Sequence, residues 1–132
     1  MSRPIQQQVV LPAPAKALFD AYLDPNTHSA ITGAPVTIGS NSGDAFEAFN
    51  GALSGHIIAT IASRLIVQAW RSTAFKDDDP DSTLILSFAD TDKGGRIDLV
   101  HVGVPDHDHD GVTDGWQKFY WDPWQRHLEG SA

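Results

Sequence analysis

The region between Pro35 and Val104 constrains the fold most, because glycines interrupt it and its intervening runs are rich in β-branched and aromatic residues. These runs include SGHIIATIA, RLIVQAWRSTAF, STLILSF and RIDLVHVGV. Such runs favour strands, and glycines between them favour turns. The sequence therefore predicts six antiparallel strands joined by hairpins, with a tight connection at residues 62–64.

Before this region, the sequence predicts one strand and a helical segment. Residues 5–11 alternate imperfectly between apolar and polar side chains and precede two prolines, which indicates an opening strand. Apolar residues then recur every three or four positions in PAKALFDAYLD, which predicts a helix that ends at Asp24 and Pro25. The stretch PNTHSAITG predicts a second short helix that Gly33 closes.

After this region, the sequence predicts a long final helix. Four residues of VTDGWQKFYWDPWQRHLEG recur at helical spacing: Trp116, Tyr120, Trp124 and Leu128. Pro123 should kink the helix, because proline cannot donate the backbone hydrogen bond and its ring crowds the preceding turn. Three of the four tryptophans, with Trp121 among them, lie in this segment, so we expect function near these aromatic rings.

Length and charge limit the partners. The chain of 132 residues suits a single domain, and 17 acidic against 9 basic residues give a formal net charge of −8. Such a surface repels phosphate backbones and anionic headgroups, so we expect neither nucleic acid nor a membrane as partner. The chain contains no cysteine, and its start, MSRPIQQQVVL, lacks the apolar run of a secretory signal. We expect a cytoplasmic protein.

The stretch VPDHDHDGVTDGW raises the question of a metal site. Its spacing matches the first positions of a calcium loop at Asp106, Asp108, Asp110, Gly111 and Asp114. Position twelve is the neutral Gln117, and a strand rather than a helix precedes the loop. His107 and His109 lack a third ligand on a defined scaffold. We favour acids that stabilise the start of the final helix, and we expect no metal and no cofactor.

Strand alternation identifies one histidine as a candidate acid or base. In RIDLVHVGV, Asp98 should face water, so Ile97, Leu99 and His101 should face the interior. A buried histidine can donate a proton or anchor a ligand, although a hydrogen-bonded core histidine is the favoured alternative. The motifs G-x-S-x-G, G-x-G-x-x-G and G-x-x-x-x-G-K are absent, so the sequence indicates neither a serine hydrolase with a nucleophile elbow nor a dinucleotide-binding or P-loop site.

Alternation also assigns part of the remaining core. In STLILSF, Leu84, Leu86 and Phe88 share the predicted interior face, whereas RLIVQAWR carries apolar residues on both faces and leaves its phase ambiguous. The charged stretch KDDDPD between these strands is typical of a solvated hairpin loop.

Four stretches, GDAFEAFNGALSGHI, QAWRS, LVHVGVP and DGWQKFYWDPWQRHL, follow one another along the chain. Together they resemble the activator of 90-kDa heat-shock protein ATPase homologue family, within the helix-grip superfamily of START and birch-pollen-allergen-like domains. The resemblance spans about residues 5–128, and Trp70 and the Gly115-Trp116 pair are its most specific pieces. It implies an α+β helix-grip fold, in which a curved antiparallel sheet of about six or seven strands wraps the C-terminal helix, often around a cavity. Many members carry leucines where this chain has Tyr120, Pro123 and Trp124, so we expect a smaller or more aromatic cavity.

The resemblance turns Trp70 toward the helix and, with the strand phases, defines an expected ligand site. Its predicted lining is Phe46, Trp70, Leu86, Phe88, Leu99, His101, Trp116, Tyr120 and Trp124. The leading hypothesis is binding of a hydrophobic or aromatic small molecule by a monomer or homodimer, and simple core filling is the alternative. By analogy with the family, a second hypothesis is a protein-interaction module that contacts a chaperone and stimulates its ATPase. By analogy with helix-grip relatives, a third hypothesis is an enzyme of the cyclase or dehydratase type that uses His101 as acid or base.

Overall fold

Residues 3–130, which the computed structural model describes, form one seven-stranded antiparallel sheet with the order β1-β7-β6-β5-β4-β3-β2. The strands are β1 (Ile5–Leu11), β2 (Val36–Thr37), β3 (Ala45–Ala48), β4 (Leu53–Ile61), β5 (Leu65–Ser72), β6 (Ser82–Thr91) and β7 (Gly94–Val102). The helices are α1 (Ala15–Leu23), α2 (Pro25–Thr32), α3 (His109–Trp116) and α4 (Asp122–Gly130), with a 3₁₀ turn at Asp106–Asp108 and a π-turn at Gln117–Trp121. None of the helices within this part of the chain is long and apolar enough to span a membrane.

One face of the sheet is buried under the helices, and alternation along the strands decides which residues reach it. The predicted interior rows are confirmed on β6, which buries Leu84, Leu86 and Phe88, and on β7, which buries Ile97, Leu99 and His101. On β5 the buried row is Ile66, Gln68 and Trp70, which resolves the ambiguous phase of that strand. The predicted α+β architecture is therefore confirmed, with a mixed apolar and aromatic core on the inner face.

Two irregularities of β4 help the sheet to curve around the helix. The pairing of β4 with β5 shifts between Ile57 and Ala59, as a β-bulge does. Gly55 has φ 154°, and a Cβ at this position would lie 1.8 Å from the carbonyl oxygen of Ala69. Only glycine permits this close approach of the two strands beside Trp70.

The two short helices begin and end where the sequence predicts. Pro25 occupies the first turn of α2, and the carboxylate of Asp24 accepts the backbone N–H of Asn26 at 3.2 Å. Gly33 ends α2 with φ 79°, a left-handed conformation that favours glycine. Phe19 of α1 meets Phe88 of β6 edge to face at 5.6 Å, which fixes α1 against the sheet.

The final helix is irregular one turn before Pro123. Because proline has no N–H, the carbonyl of Phe119 has no backbone donor four residues later. The chain forms a single turn of π-helix here, called the π-turn, in which the N–H of Asp122 donates to the carbonyl of Gln117. The π-turn adds a residue to the inner face, so Tyr120 and Trp121 are both buried. The Trp121 Nε1–H donates to Oε1 of Gln7 on β1 at 2.7 Å, which ties the helix to the sheet.

The acidic stretch folds into the start of this helix. Asp106 and Asp108 lie in the 3₁₀ turn, and Asp110 lies in the first turn of α3, where the helix dipole favours negative charge. Across residues 3–130, no three histidine, aspartate or glutamate side chains lie close enough to hold one metal ion.

The KDDDPD loop between β5 and β6 is exposed at Asp77 and Asp78 but is ordered at its base. The Arg71 guanidinium donates to the carbonyls of Lys76 at 2.6 Å and Asp79 at 2.7 Å, which closes the loop over β5.

Candidate functional site: a cleft between the sheet and the C-terminal helix

A cleft of about 400 Å³ lies between the inner face of the sheet and α3. The sheet side is formed by Trp70 and Ser72 of β5 with Phe49, Ala52 and Leu53 from the β3–β4 hairpin. The helix side is formed by Asp108, Gly111, Val112, Gly115, Trp116, Phe119 and Tyr120. The cleft is therefore walled mainly by aromatic rings, which is typical of sites for small organic molecules.

Two larger depressions have a different character. One, of about 600 Å³, lies between the start of α1 and the β4–β5 turn and includes Lys16, Arg64 and Asp90. The other, of about 610 Å³, lies between α2 and α4 and includes Arg126 and His127. Both lack the concentration of aromatic side chains, so we assign the candidate site to the smaller aromatic cleft.

The cleft exists because the helix presents glycines to it. Gly111 and Gly115 are one helical turn apart on α3, and both line the cleft. A Cβ at Gly115 would approach no atom closer than Cδ2 of Phe119 at 3.7 Å, and one at Gly111 would be 3.4 Å from Oδ1 of Asp108. These are ordinary contact distances, so a methyl group fits at either position without disrupting the packing around it.

Two phenylalanines form the mouth of the cleft. Phe49 lies in the β3–β4 turn, where Phe49 and Asn50 adopt positive φ angles of 52° and 56°. Its ring meets that of Phe119 edge to face at 5.6 Å, and 46% of Phe119 remains exposed. Because Phe119 is the most accessible aromatic residue of the wall, it is the side chain best placed to move when a molecule enters.

Two buried polar atoms at the cleft have no hydrogen-bond partner within the described part of the chain. They are the indole Nε1 of Trp70 and the carboxylate Oδ2 of Asp108. A buried polar atom without a partner costs about 1–3 kcal/mol, so such atoms are uncommon and often mark functional positions. The residues of the cleft wall thus include one buried unpaired donor, on Trp70, and one buried unpaired acceptor, on Asp108.

His101 lies directly behind the cleft, and protein groups occupy both of its ring nitrogens. The Trp116 Nε1–H donates to Nδ1 at 3.2 Å, and Nε2 lies 2.8 Å from Oγ of Ser82. Because the Ser82 hydroxyl donates to the carbonyl of Trp70 at 2.6 Å, its oxygen accepts the proton of Nε2. Burial lowers the pKa of His101 to about 3, so the ring is neutral.

This arrangement gives His101 a positioning role in the structure. Its ring stands edge-on to Trp70 at 4.7 Å and bonds Trp116, so it fixes the indoles on both sides of the cleft. Neither ring nitrogen remains available to a molecule in the cleft. The favoured prediction from the sequence, a hydrogen-bonded core histidine, matches this geometry.

A second buried histidine lies on α2, in a cluster that joins α1, α2 and β5 to the C-terminal helix. His28 Nδ1–H donates to the carbonyl of Tyr22 at 2.8 Å, so Nε2 accepts the hydroxyl of Tyr120 at 2.9 Å. The hydroxyl of Tyr22 donates to Oε1 of Gln68 at 2.7 Å. Burial lowers the pKa of His28 to about 4. We call these four residues, Tyr22, His28, Gln68 and Tyr120, the closed cluster.

The structure brings three of the nine predicted site residues to the cleft: Trp70, Trp116 and Tyr120. Leu86, Leu99 and His101 are buried on the inner face of the sheet. Phe88 is buried toward the other end of β6, where it packs on Phe19 and lines the depression beside the start of α1. Phe46 packs near His28, with ring centres 6.2 Å apart, and Trp124 stacks on Trp121 at 6.4 Å. Which of these nine residues contact a ligand stays a prediction.

Sequence reasoning did not select Phe49, Asp108, Gly111, Gly115 or Phe119 as ligand-binding residues. The signal for the glycines was present, because two glycines four residues apart on one helix leave a gap on that face. In the sequence, Gly111 instead matches the glycine of a calcium loop. Phe49 carried no such signal, since a turn that follows β3 brings it to the cleft.

Residues 12–129 match the model of the family described as "Activator of Hsp90 ATPase homolog 1-like protein". The human activator of 90 kDa heat shock protein ATPase homolog 1 is 24% identical over 105 residues, which cover 80% of this chain and 31% of that protein. The chain spans about a third of the length of the curated relatives it matches.

Solved structures agree on the fold. An HSP90 activator from Plasmodium falciparum superposes with a TM-score of 0.86 at 19% identity, and the match covers 97% of each chain. The solution structure of the Aha1 dimer from Colwellia psychrerythraea gives a TM-score of 0.81 at 10% identity, again over 97% of each chain. At these identities the likeness establishes the fold alone. Because the family model covers most of its length, the chain belongs to the Activator of Hsp90 ATPase homolog 1-like family.

Proposed function

We propose that this domain binds a small apolar or aromatic molecule in the cleft between β5 and α3. The observation that carries the proposal is Trp70, whose ring lines the cleft and whose buried indole N–H has no partner among the described residues. A ligand that places an acceptor there would remove the cost of leaving this donor unpaired. The surrounding rings would bury the rest of the ligand.

The size of the cleft supports this proposal. Sites for small molecules generally enclose about 300–1,000 Å³ and combine apolar walls with a few polar groups. The cleft has a volume of about 400 Å³, with one unpaired donor and one unpaired acceptor. It therefore suits a molecule with one or two rings better than a long lipid chain.

The walls are largely pre-organised, which favours binding. Trp116 is held by its hydrogen bond to His101, and its ring packs on Tyr120 with centres 4.8 Å apart. Trp70 is held between His101 and Phe75, at 4.7 and 6.0 Å. Ligand binding would order few side chains besides Phe119, so little conformational entropy would be lost.

Filling the cleft from the helix tests the proposal. In Gly115→Leu the new side chain should occupy the cleft, while the helix gains a residue of better propensity. We expect a library of small aromatic compounds to shift the tryptophan fluorescence of the natural chain but not of Gly115→Leu. Gly130→Ala, at the exposed end of α4 where an added Cβ meets nothing within 4 Å, is the control. Equal binding by Gly115→Leu and the natural chain would rule out this cleft.

A second proposal is contact with a chaperone of the Hsp90 class. It is supported by membership of the family and by the names of the human and Plasmodium relatives, and it would use surface residues rather than the cleft. A pull-down with purified Hsp90, followed by an ATPase assay, tests it. Because Gly115→Leu changes the cleft and not the surface, it should retain chaperone binding while losing the small molecule.

Self-association is a related prediction, and the dimeric Colwellia structure supports it. Sedimentation over a range of concentrations tests it: a mass of twice 14.3 kDa would support a homodimer. A constant mass of 14.3 kDa would support the monomer.

A further inference from the structure

The cleft carries charge of one sign. Asp108 is the one acidic or basic side chain among the lining residues apart from Tyr120, whose pKa burial raises well above its usual range. Neither lysine nor arginine contributes to the described wall. Lys118 lies over the ring of Phe119, with Nζ 5.3 Å from the ring centre, and does not line the cleft. An anionic ligand would therefore meet a carboxylate without a compensating cation.

The Asp108 carboxylate belongs to the cleft wall and has one oxygen without a hydrogen-bond partner among the described residues. Asp108 immediately precedes α3, but its side chain makes no capping hydrogen bond to the helix. Its Oδ2 is buried and unpartnered among the described residues. Burial raises the pKa of this carboxyl group, whereas neighbouring His107 lowers it. A donor that carries positive charge would satisfy the oxygen and relieve the cost of desolvation.

The remaining walls are suited to a cation with an apolar body. The rings of Trp70 and Trp116 lie 6.2 Å apart, and Trp116 and Tyr120 lie 4.8 Å apart. Aromatic faces attract cations through their quadrupole, and they also bury apolar surface. The formal net charge of −8 additionally raises the local concentration of cations around the molecule.

We propose that the cleft selects an apolar or aromatic amine in its ammonium form, with the nitrogen at Asp108 and the body against the walls that Trp70 and Trp116 form. This inference rests on the proposed binding function. The unpaired N–H of Trp70 then accommodates an acceptor elsewhere on the ligand, such as an ether or carbonyl oxygen. The lining residues thus restrict the proposed ligands from small apolar molecules in general to those that carry a positive charge.

A matched series of probes tests the charge preference. 4-Phenylbutylamine, 4-phenylbutan-1-ol and 4-phenylbutanoate share one skeleton and differ in their head group. By calorimetry we expect the amine to bind the natural chain about tenfold more tightly than the alcohol, and the carboxylate to bind most weakly. Tightest binding by the carboxylate, or equal binding by the amine and the alcohol, would overturn the inference.

Asp108→Asn assigns the preference to one residue. In this variant the amine should lose its advantage over the alcohol, when both are measured on Asp108→Asn. Asp92→Asn, in the exposed turn between β6 and β7, changes the net charge equally and should keep the preference. An amine preference that survives Asp108→Asn would overturn the inference.

Gly115→Leu separates this inference from the proposed function. If the alcohol binds and Gly115→Leu blocks it, but the amine shows no advantage, the binding function stands and the charge selection fails. If no probe in the series binds, or Gly115→Leu leaves all binding unchanged, both fail.

Discussion

The two ends of the interface between the sheet and the C-terminal helix differ in how the helix fills them. At the closed cluster, large side chains meet across the interface, and His28 links Tyr22 to Tyr120 through hydrogen bonds. At the cleft, Gly111 and Gly115 leave a gap of about 400 Å³ opposite Trp70. Tyr120 contributes to both ends and separates them. Side-chain size along one helix face is therefore enough to produce a packed core at one end and a cleft at the other.

Hydrogen bonding follows the same division, with exceptions. At the closed cluster both nitrogens of His28 and both tyrosine hydroxyls are paired, although Nε2 of Gln68 is not. At the cleft, Nε1 of Trp70 and Oδ2 of Asp108 are unpaired among the described residues, and Nε1 of Trp124, beyond the cleft, is unpaired as well. The closed cluster therefore has the contacts of a stabilising core, and the cleft is the end to which we assign the proposed binding function.

The largest expected effect is the loss of stability when His28 is removed from the closed cluster. His28→Ala removes a buried ring and leaves the Tyr120 hydroxyl without its acceptor, so we expect a loss of about 3 kcal/mol in the free energy of unfolding. The exposed histidine of β4 provides the control, and His56→Ala should change stability by less than about 0.5 kcal/mol. Chemical denaturation measures both. Equal effects would mean that the closed cluster contributes no more than the surface.

A slightly smaller effect is expected on the pH dependence of stability, which tests whether His101 is as well shielded from water as His28. Their pKa values of about 3 and about 4 lie below the unfolded value of 6.5, so the unfolded chain binds more protons between pH 4 and 6.5. Stability is therefore full above pH 6.5 and falls as the pH decreases. We expect the two histidines together to remove about 2 kcal/mol between pH 7 and 5.5.

Denaturation at several pH values measures this loss, and NMR titration of the histidine rings assigns it. Both rings should stay neutral in the folded protein at pH 5.5. A His101 ring that titrates near pH 6.5 would show that water reaches it through the cleft, and the difference between the two ends would then extend deeper than the cleft walls.

Smaller changes in stability are expected when two glycines, Gly115 and Gly95, are each replaced by alanine. Gly115→Ala should raise the free energy of unfolding by about 0.5–1 kcal/mol, because alanine has the better helix propensity and its Cβ fits the open cleft. Gly95→Ala on β7 should lower it, since a Cβ there would lie 2.6 Å from both the carbonyl oxygen of Ala13 and Cδ1 of Leu18. Thermal unfolding of the pair measures both signs. A destabilised Gly115→Ala would mean that the cleft is closed in solution.

Most of the fold follows from local patterns in the sequence. Period-two alternation identified the buried rows of β6 and β7, and Pro25 and Gly33 marked the ends of α2. These signals suffice because burial on one face of a sheet imposes the pattern directly. The family resemblance supplied the long helix against a curved sheet, and it also resolved the phase of β5.

The site was less predictable, because its main features depend on distant residues. His28 and Tyr120 are 92 positions apart, so no local pattern relates them. The π-turn moved Trp121 onto the buried face, which a strict helical period does not anticipate. Asp108 and Gly111 resembled a calcium loop, and only the start of α3 shows that they border a cleft.

The central claim is that a small molecule binds at the cleft and not at the closed cluster. The indole N–H resonances of the four tryptophans test it directly, because Trp70 and Trp116 line the cleft, whereas Trp124 is 1% exposed and packs beyond it. When 4-phenylbutylamine is titrated into the labelled protein, the Trp70 resonance should shift most and the Trp124 resonance should stay in place. A shift of Trp124 with Trp70 unmoved, or no shift of any indole, would contradict the account.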